Sequence, residues 1–265
     1  MKIAVCLKQV PDTAELKLDP KTNTLIREGV EAVLNPLDEF PLEAALRLRE
    51  ACGGSVTAFT MGPPQASQVL HKAVAMGADE TVLVSDRKFA GADTWATSLT
   101  LARAIEAYGP FDLVLCGKQA IDGDTAQVGP GIATFLNIPQ VTYVTRIAPA
   151  GDRHLRVERM LEHGTAVVKV ALPAMLTVLK EANEPRLPTL SGRIRAFRGK
   201  PNAADAAMLK LSAAETGLNG SPTRVVKIAV PQNQRQRVRL TGAPKESVTA
   251  LLKALDERGI RTAGH

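Results

Sequence analysis

Short apolar runs alternate with amphipathic stretches through the first 140 residues, and this alternation limits the fold more than any other feature of the chain. Four of the runs have the composition of strands that are buried on both faces. They lie at residues 3–7, 56–60, 81–84 and 113–116. Helical patterns separate and follow these runs. The first begins at Asn35-Pro36, with Asn35 in the place of an N-cap and Gly53 as its stop, and the others lie near 65–76, after Asp93 and after Asp124.

Four strand–helix units of about 30 residues each predict a doubly wound, mostly parallel sheet with helices on both faces. After residue 140 the helical patterns stop, and four more runs follow through short turns. They lie at 141–147, 155–160, 165–170 and 174–179. We expect them to add partly antiparallel strands to the same sheet, and we expect a small hairpin from residues 16–19 and 24–27.

From Asn183 onward, proline and basic residues become frequent and periodicity weakens until a short amphipathic helix at 247–258. We therefore expect an α/β domain at 1–182, a linker at 183–220 and an arm at 221–265. Residues 185–245 hold twelve lysines and arginines against two acidic residues, although the whole chain is only +6. Such a segment either faces an acidic partner, a nucleic acid or membrane lipid, or is simply solvated. Because Phe197 is its only aromatic residue, RNA binding by base stacking is disfavoured.

Composition excludes several classes of protein. With 45% hydrophobic and 23% charged residues, the chain is typical of a globular domain rather than a disordered or coiled-coil segment. No apolar run approaches the ~18 residues of a membrane span, and the apolar start is too short for a signal peptide. Cys6, Cys52 and Cys116 have neither the number nor the spacing of a disulfide framework or a zinc site. We expect a cytoplasmic protein without membrane insertion.

The segment after the fourth apolar run is the strongest candidate for a binding site, because ligands bind beyond the carboxyl ends of strands in such sheets. Gly117 and Gly123 permit close backbone approach, and the N–H groups of a helix starting after Asp124 favour a phosphate. The segment matches neither a Walker A loop nor a GxGxxG fingerprint. A nucleotide site and an ordinary turn capped by Asp124 both fit this pattern.

The other polar residues offer weaker signals. The hydroxyls of Thr94 and Thr97 follow an N-cap position at Asp93 and could reach a ligand, although capping alone explains the pattern better. The four histidines have no nucleophile or acid at a meaningful spacing, so a catalytic histidine is not expected. Cys6 and Cys116 are expected to be small core residues. Since no catalytic or metal cluster appears, electron chemistry would need a bound cofactor.

Five motifs occur in order along nearly the whole chain. They are Cys6-Leu7-Lys8-Gln9-Val10-Pro11-Asp12, the Asn35-Pro36 helix start, Ala75-Met76-Gly77-Ala78-Asp79, Gly117-Lys118-Gln119-Ala120-Ile121-Asp122 and Asn183-Glu184-Pro185-Arg186. Together they resemble the β subunit of electron transfer flavoprotein. The resemblance implies an adenine-nucleotide-hydrolase-like fold, an electron-carrying function, and a heterodimer with an α subunit that holds FAD.

The resemblance also implies which residues bind nucleotide and partners. The nucleotide site would comprise Cys6, Asn35, Pro36, Leu37, Asp38, Met61, Asp122, Gly123, Asp124, Thr125, Ala126, Gln127, Val128, Gly129, Pro130, Gly131, Ile132 and Ala133. Leu37 and residues 10–13 would approach the α-subunit flavin. Residues 183–200 match a recognition segment that docks on acyl-CoA dehydrogenases, through Glu184, Pro185, Arg186 and the anchoring Leu190. The arm at 221–265 would pack on the α subunit.

Two kinds of β subunit exist in this family. In housekeeping members the site holds structural AMP, whereas in electron-bifurcating members it holds a second FAD that takes a hydride from NADH. The small residues Gly123 and Ala126 resemble the bifurcating form, as does the helix start at 93–97, where Thr94 and Thr97 would face the second flavin or the nicotinamide nucleotide. The resemblance thus favours FAD and NADH, with AMP as the alternative. A nucleotide-binding module without redox chemistry is a further alternative, and no nucleic-acid partner is expected.

Overall fold

The apolar runs form the centre of a nine-stranded sheet in the computed structural model. The structure describes residues 1–12, 17–18, 25–26, 32–226 and 238–260. The strands in this part of the chain are β1 (Lys2–Cys6), β2 (Gln9–Pro11), β3 (Lys17–Leu18), β4 (Leu25–Ile26), β5 (Ala32–Leu34), β6 (Ser55–Met61), β7 (Glu80–Val84), β8 (Leu113–Gly117), β9 (Gln140–Pro149), β10 (His154–Leu161), β11 (Gly164–Ala171), β12 (Ala174–Val178) and β13 (Asn202–Ala204). The helices are α1 (Glu39–Cys52), α2 (Ser67–Met76), α3 (Thr94–Tyr108), α4 (Val128–Leu136), α5 (Leu190–Arg198) and α6 (Pro244–Asp256).

The order of strands in the large sheet is β11-β10-β9-β12-β8-β1-β6-β7-β13. Every neighbouring pair from β9 to β13 in that order is parallel, while β10 pairs antiparallel with both β9 and β11. The predicted doubly wound sheet with added antiparallel strands is therefore confirmed. Two small antiparallel pairs, β2 with β5 and β3 with β4, lie outside it. The second pair is the predicted hairpin, whose turn lies outside the described residues.

Alternating side chains of β1 divide the core into two layers. Ile3 and Val5 pack with residues of α1 and α2 on one face of the sheet, and Ala4 and Cys6 pack with α3 and α4 on the other. Helices therefore cover both faces, as the strand–helix pattern predicts. Within the described ranges, no helix has both the length and the apolar character needed to cross a membrane.

Three local expectations were wrong. Asn35 does not cap α1, because a short 3-10 turn at Pro36–Asp38 lies between them. The side chain of Asn35 instead bonds the backbone of Gln119. The helix expected after Asp124 begins only at Val128, since Asp124 and Ala126 have φ values of +52° and +55° that an α-helix cannot contain. The weakly periodic segment after Asn183 contains α5 and the edge strand β13.

The chain divides into two units, Met1–Lys227 and Ile228–His265. The first contains the sheet, α1 to α5 and all the residues that the nucleotide site would use. In the second, α6 is the amphipathic helix expected at 247–258, although it starts three residues earlier and ends two residues earlier. The boundaries expected after residues 182 and 220, between the domain, the linker and the arm, stay predictions.

A buried carboxylate on α1 holds the segment that follows β12. The side chain of Glu43 is 2% exposed, and it accepts hydrogen bonds from Arg47 Nε at 2.6 Å and from Arg186 Nε at 2.8 Å. Arg186 also donates its backbone N–H to Glu43 at 3.1 Å and an Nη2 hydrogen to Glu50 at 3.0 Å. Burial alone would raise the pKa of Glu43, but the hydrogen bonds from Arg186 and Arg47 outweigh it and lower that pKa. Residues 183–186 are therefore fastened to α1 by charge.

We expect Glu43→Gln to lower the free energy of unfolding by about 3 kcal/mol, because it leaves Arg186 without its buried partner. Since folding lowers the pKa of Glu43 from its ordinary 4.5, this stabilisation is present above that pH and is lost as the pH falls below it. The free energies of unfolding of the wild type and of Glu43→Gln should therefore become equal in acid. The measurement is urea denaturation followed by circular dichroism from pH 3 to pH 7. Glu50→Gln is the matched control, because its half-exposed carboxylate should contribute less than about 1 kcal/mol. An equal loss of unfolding free energy in the two variants would contradict the larger contribution that we assign to the buried Glu43 carboxylate.

Candidate functional site

The expected site lies at the edge of the sheet where the parallel strands end. β1 and β8 are neighbours there, with Cys6 paired in register with Cys116, and β6 ends beside them at Met61. Helices α3 and α4 begin at the same edge, since each helix of a parallel α/β unit runs back along its strand. The sequence-predicted residues on these segments are thereby brought to one side of the molecule.

Asn35 is a fully buried amide that joins two parts of this edge. Its Nδ2 donates to the carbonyl oxygen of Gln119 at 3.0 Å, and its Oδ1 accepts from the N–H of Ile121 at 3.3 Å. Its backbone N–H donates to the carbonyl oxygen of Lys8 at 2.9 Å. The loop after β8 is therefore tied to the segment after β1 by one side chain that supplies both a donor and an acceptor.

Asp38 is the second buried polar residue of this turn. Its Oδ2 accepts the N–H of Lys8 at 2.8 Å, and a Cβ at Gly117 would overlap its Oδ1. Burial raises the pKa of Asp38 to about 7, although hydrogen bonds from Lys8, Asn35 and Gly117 act in the opposite direction. The carboxyl group is thus committed to the backbone of the strand ends, where it shapes the edge. Pro36 is exposed and Leu37 half-buried beside it, so these two remain open to a ligand or a partner.

Further polar contacts hold the two carboxylates of the loop after β8. Lys8 Nζ donates to both carboxylate oxygens of Asp122, at 2.7 and 2.8 Å. The side-chain amide of Gln119 donates to Asp124, whose own N–H donates to the carbonyl oxygen of Ala120 at 2.9 Å. Both loop carboxylates are therefore engaged by the protein, which lowers their repulsion towards an anionic ligand.

Helix α4 begins directly after this loop without a side-chain cap from the described residues. The N–H groups of Val128 and Gly129 have no partner within the helix, and Pro130 has no N–H. Gln127 occupies the N-cap position, where its carbonyl oxygen accepts the N–H of Gly131 at 2.9 Å but its side chain does not cap the helix. Because the helix dipole adds a partial positive charge, this start can receive a phosphate or diphosphate.

The glycines of the loop and helix have different surroundings. A Cβ at Gly123 would meet no protein atom within 4 Å, so that side of the loop is open. A Cβ at Gly129 would lie 2.9 Å from the methyl group of Thr177, and one at Gly131 would overlap Ser98. Ile132 and Ala133 are buried in the core beneath α3. Gly129, Ile132 and Ala133 therefore pack α4 against its neighbours, and at Gly129 only a backbone group could touch a ligand.

The start of α3 lies next to that of α4. Asp93 caps α3 by accepting the N–H groups of Trp95 and Ala96, as expected. Thr94 Oγ1 lies 3.1 Å from Gln127 Oε1, which joins the two helix starts. The side chains of Thr97 and Met61 are half-buried on the same edge, and no hydrogen bond links Thr97 to the loop within the described residues. Thr125 and Ala126 are on the open part of the loop.

The two buried thiols do not have the character of nucleophiles. Cys6 and Cys116 are 8% and 6% exposed. The hydrogen bond to Cys6, together with burial, favours the protonated Cys116 thiol and raises its pKa well above the ordinary value. Among the described residues, no group of three histidine, cysteine or acidic side chains could hold a metal ion. The chemistry that this edge offers is binding of a phosphorylated ligand by backbone groups.

The expected docking residues lie apart from this edge. Glu184 accepts a hydrogen bond on its carbonyl oxygen from Arg47, and Arg186 is bound to Glu43. Pro185 is half-buried between them, and Leu190 is the first residue of α5, 76% exposed. Sequence reasoning missed Lys8, Gln119 and Glu43 as contact residues. Their partners are 114, 5 and 143 positions away along the chain. Only the contact of Gln119 with Asp124 is close enough in sequence for a local pattern to indicate it.

Comparison with known proteins shows which family the chain belongs to. The model of the electron transfer flavoprotein domain matches residues 22–215. The electron transfer flavoprotein subunit beta of Thermoanaerobacterium thermosaccharolyticum is 50% identical over 261 residues, which cover 98% of this chain and 100% of the relative. The caffeyl-CoA reductase-Etf complex subunit CarD of Acetobacterium woodii is 48% identical, with coverage of 98% and 100%. The protein FixA of Bradyrhizobium diazoefficiens is 44% identical, with coverage of 95% and 90%. The chain therefore belongs to the electron transfer flavoprotein family, as a β subunit.

Proposed function

We propose that this β subunit binds FAD at the carboxyl edge of its sheet and, paired with an α subunit that holds a second FAD, carries electrons from NADH to further acceptors by electron bifurcation. The observation that carries the proposal is the start of α4. Two backbone N–H groups without a partner in the helix lie beside a loop in which a Cβ at Gly123 would meet no protein atom within 4 Å among the described residues. This combination supplies charge for a diphosphate and open space for a ring system beside it.

The residues present fit a dinucleotide. The backbone of Val128 and Gly129 would hold the diphosphate. The Thr94 hydroxyl donates its proton to Gln127 Oε1 at 3.1 Å, so its oxygen would accept a hydrogen bond from a ligand hydroxyl between the two helix starts. An FAD in this site would supply hydride acceptance from NADH and onward transfer of single electrons. The chain's own part is to orient and enclose, since Asn35 and Asp38 fix the loop from within. The alternative occupant is AMP, which would use the same phosphate position.

The partners follow from the family and from one relative. A β subunit of this family implies an α subunit, and we propose that residues 221–265 pack on it. The name of the Acetobacterium woodii relative places that protein in a complex with caffeyl-CoA reductase. By analogy, we propose that residues 183–200 dock on an acyl-CoA dehydrogenase-type flavoenzyme. Leu190 supports this proposal. Its apolar side chain is 76% exposed, and contact with water is unfavourable for it unless a partner covers it.

We expect Gly123→Asp to lower the FAD content of the purified heterodimer from two towards one and to abolish NADH oxidation. A carboxylate at this open position would repel the diphosphate and fill the space beside it. Acid extraction and chromatography measure the flavin and nucleotide content. Gly123→Ala is the control, because one methyl group meets no protein atom within 4 Å and should leave both flavins in place. One FAD and one AMP in the wild-type heterodimer would instead make this a housekeeping subunit.

We expect Leu190→Ala to raise the KM of the heterodimer for its partner dehydrogenase by about tenfold, since an apolar anchor in an interface contributes 1 kcal/mol or more. The kcat and the flavin content should change less than about twofold. The measurement is electron exchange with a purified acyl-CoA dehydrogenase reduced by its own substrate. An unchanged KM would exclude Leu190 from the docking surface.

A further inference from the structure

Tyr143 occupies a strained position on β9, beside the candidate site. Over the span in which β12 advances by two residues, from Leu176 to Val178, its partner β9 advances by three, so β9 contains a β-bulge. Tyr143 lies in this bulge with a φ of +59°, a conformation that is unfavourable for a large side chain. Backbone strain of this kind persists only where the surroundings enforce it, and such strain clusters at functional sites.

Two contacts hold Tyr143 in this conformation. Its backbone N–H donates to Thr177 Oγ1 at 3.1 Å. Its ring lies against the ammonium group of Lys118, with 5.4 Å between Nζ and the ring centroid, which is within the range of a cation–π interaction. The backbone N–H of Lys118 donates to the carbonyl oxygen of Val178 at 3.2 Å. The bulge therefore places an aromatic ring where it restricts the conformation of a lysine side chain.

Thr177 connects this pair to the start of α4. The residue is 3% exposed, and its hydroxyl accepts the N–H of Tyr143. Its methyl group is the atom that a Cβ at Gly129 would meet at 2.9 Å. Gly129 supplies one of the N–H groups that have no partner within the helix. Tyr143 and the phosphate-binding end of α4 therefore contact the same buried side chain.

The charge of Lys118 is not matched by the protein. Lys118 is the only lysine or arginine in the loop between β8 and α4. It is half-buried, and in the part of the chain that the structure describes no carboxylate forms an ion pair with it. The neighbouring Lys8, in contrast, is bound by Asp122 at 2.7 Å. A half-buried ammonium group without a counter-ion favours binding of an anion beside it.

We propose that Lys118 binds a phosphate oxygen of the nucleotide at the start of α4, in addition to the backbone N–H groups of Val128 and Gly129, and that Tyr143 positions the ammonium group. The inference rests on the proposed function and adds a charged side chain to a site built from backbone groups. Because the ring of Tyr143 holds Lys118 before a ligand arrives, binding costs less side-chain entropy. The cost is carried by the folded protein instead, as the left-handed backbone of Tyr143.

The test measures binding of AMP, FAD and adenosine to the intact heterodimer after dialysis has removed the nucleotide of the β subunit. Lys118→Gln should raise the Kd for AMP and FAD about tenfold, through loss of a charge-assisted hydrogen bond. The Kd for adenosine, which has no phosphate, should change less than about twofold. Lys118→Arg retains the charge and should stay within about threefold of wild type for all three ligands.

Lys169→Gln is the matched control. It removes the same charge from an exposed position on the outer strand β11. Its Kd values for AMP and FAD should stay within about twofold of wild type, because an exposed charge that does not contact the ligand is screened by salt.

Three variants of Tyr143 separate the role of its ring from that of its backbone. Tyr143→Phe keeps a ring for the lysine and should bind AMP within about twofold of wild type. Tyr143→Ala and Tyr143→Gly remove the ring, and each should raise the Kd for AMP about threefold. Tyr143→Gly should also unfold at a higher urea concentration than Tyr143→Ala, since glycine adopts a φ of +59° without strain. Wild-type affinity in Tyr143→Gly would overturn the positioning role.

The outcomes distinguish this contact from the proposed function. If the wild-type β subunit binds neither AMP nor FAD, the proposed function and the contact fail together. If it binds them and Lys118→Gln binds them equally well, only the contact fails. An equal loss of affinity for AMP and adenosine would mean that Lys118 supports the fold of the loop. Weaker association of the two subunits with unchanged Kd values would assign Lys118 to the subunit interface, and either result would overturn the proposal.

Discussion

The buried pair Asn35 and Asp38 is the constraint on which the candidate site depends. Both residues sit on one short turn, and their side chains bond backbone groups of Lys8, Gln119 and Ile121, which lie in the segments after the neighbouring strands β1 and β8. A buried amide and a buried carboxyl group are stable only when each polar atom finds a partner. Because those partners are backbone groups, the turn fixes the path of the loop that leads to α4 whatever its side chains are.

The start of α1 also connects the two functions that we propose. α1 follows directly from Asp38, and one turn later it carries Glu43, which binds Arg186 at the beginning of the docking segment. Because α1 is a stiff helix of 14 residues, the carboxyl edge of the sheet and residues 183–186 are attached to one rigid element. In the proposed function, this arrangement would keep the distance between an incoming dehydrogenase and the electron carrier constant, a quantity that loops alone would not control.

Much of the fold follows from local patterns in the sequence, and the contacts that position the site do not. Apolar runs and helical periodicity predict the parallel sheet, both helix layers and the added strands, because burial on two faces leaves a simple pattern. Asn35 has the sequence position of an N-cap, yet a long-range bond to Gln119 takes its side chain away. Helix α5 was not predicted because of its local pattern. Its inner face is Gly192 and Ala196 and its outer face is apolar, which reverses the usual amphipathic pattern.

In the proposed function, the construction of the carboxyl edge of the sheet would let one fold hold different nucleotides. The backbone N–H groups of Val128 and Gly129 are available for a phosphate, and no substitution removes them except proline. Affinity for phosphate therefore carries no information about what is attached to it. The selection must come from the space beside the phosphate, and in this chain the open side of Gly123 and the left-handed Ala126 border that space. A larger side chain there would leave the phosphate position intact and exclude a ring system. In the proposed function, the volume of two loop residues would select between a structural nucleotide and a redox cofactor at one phosphate position.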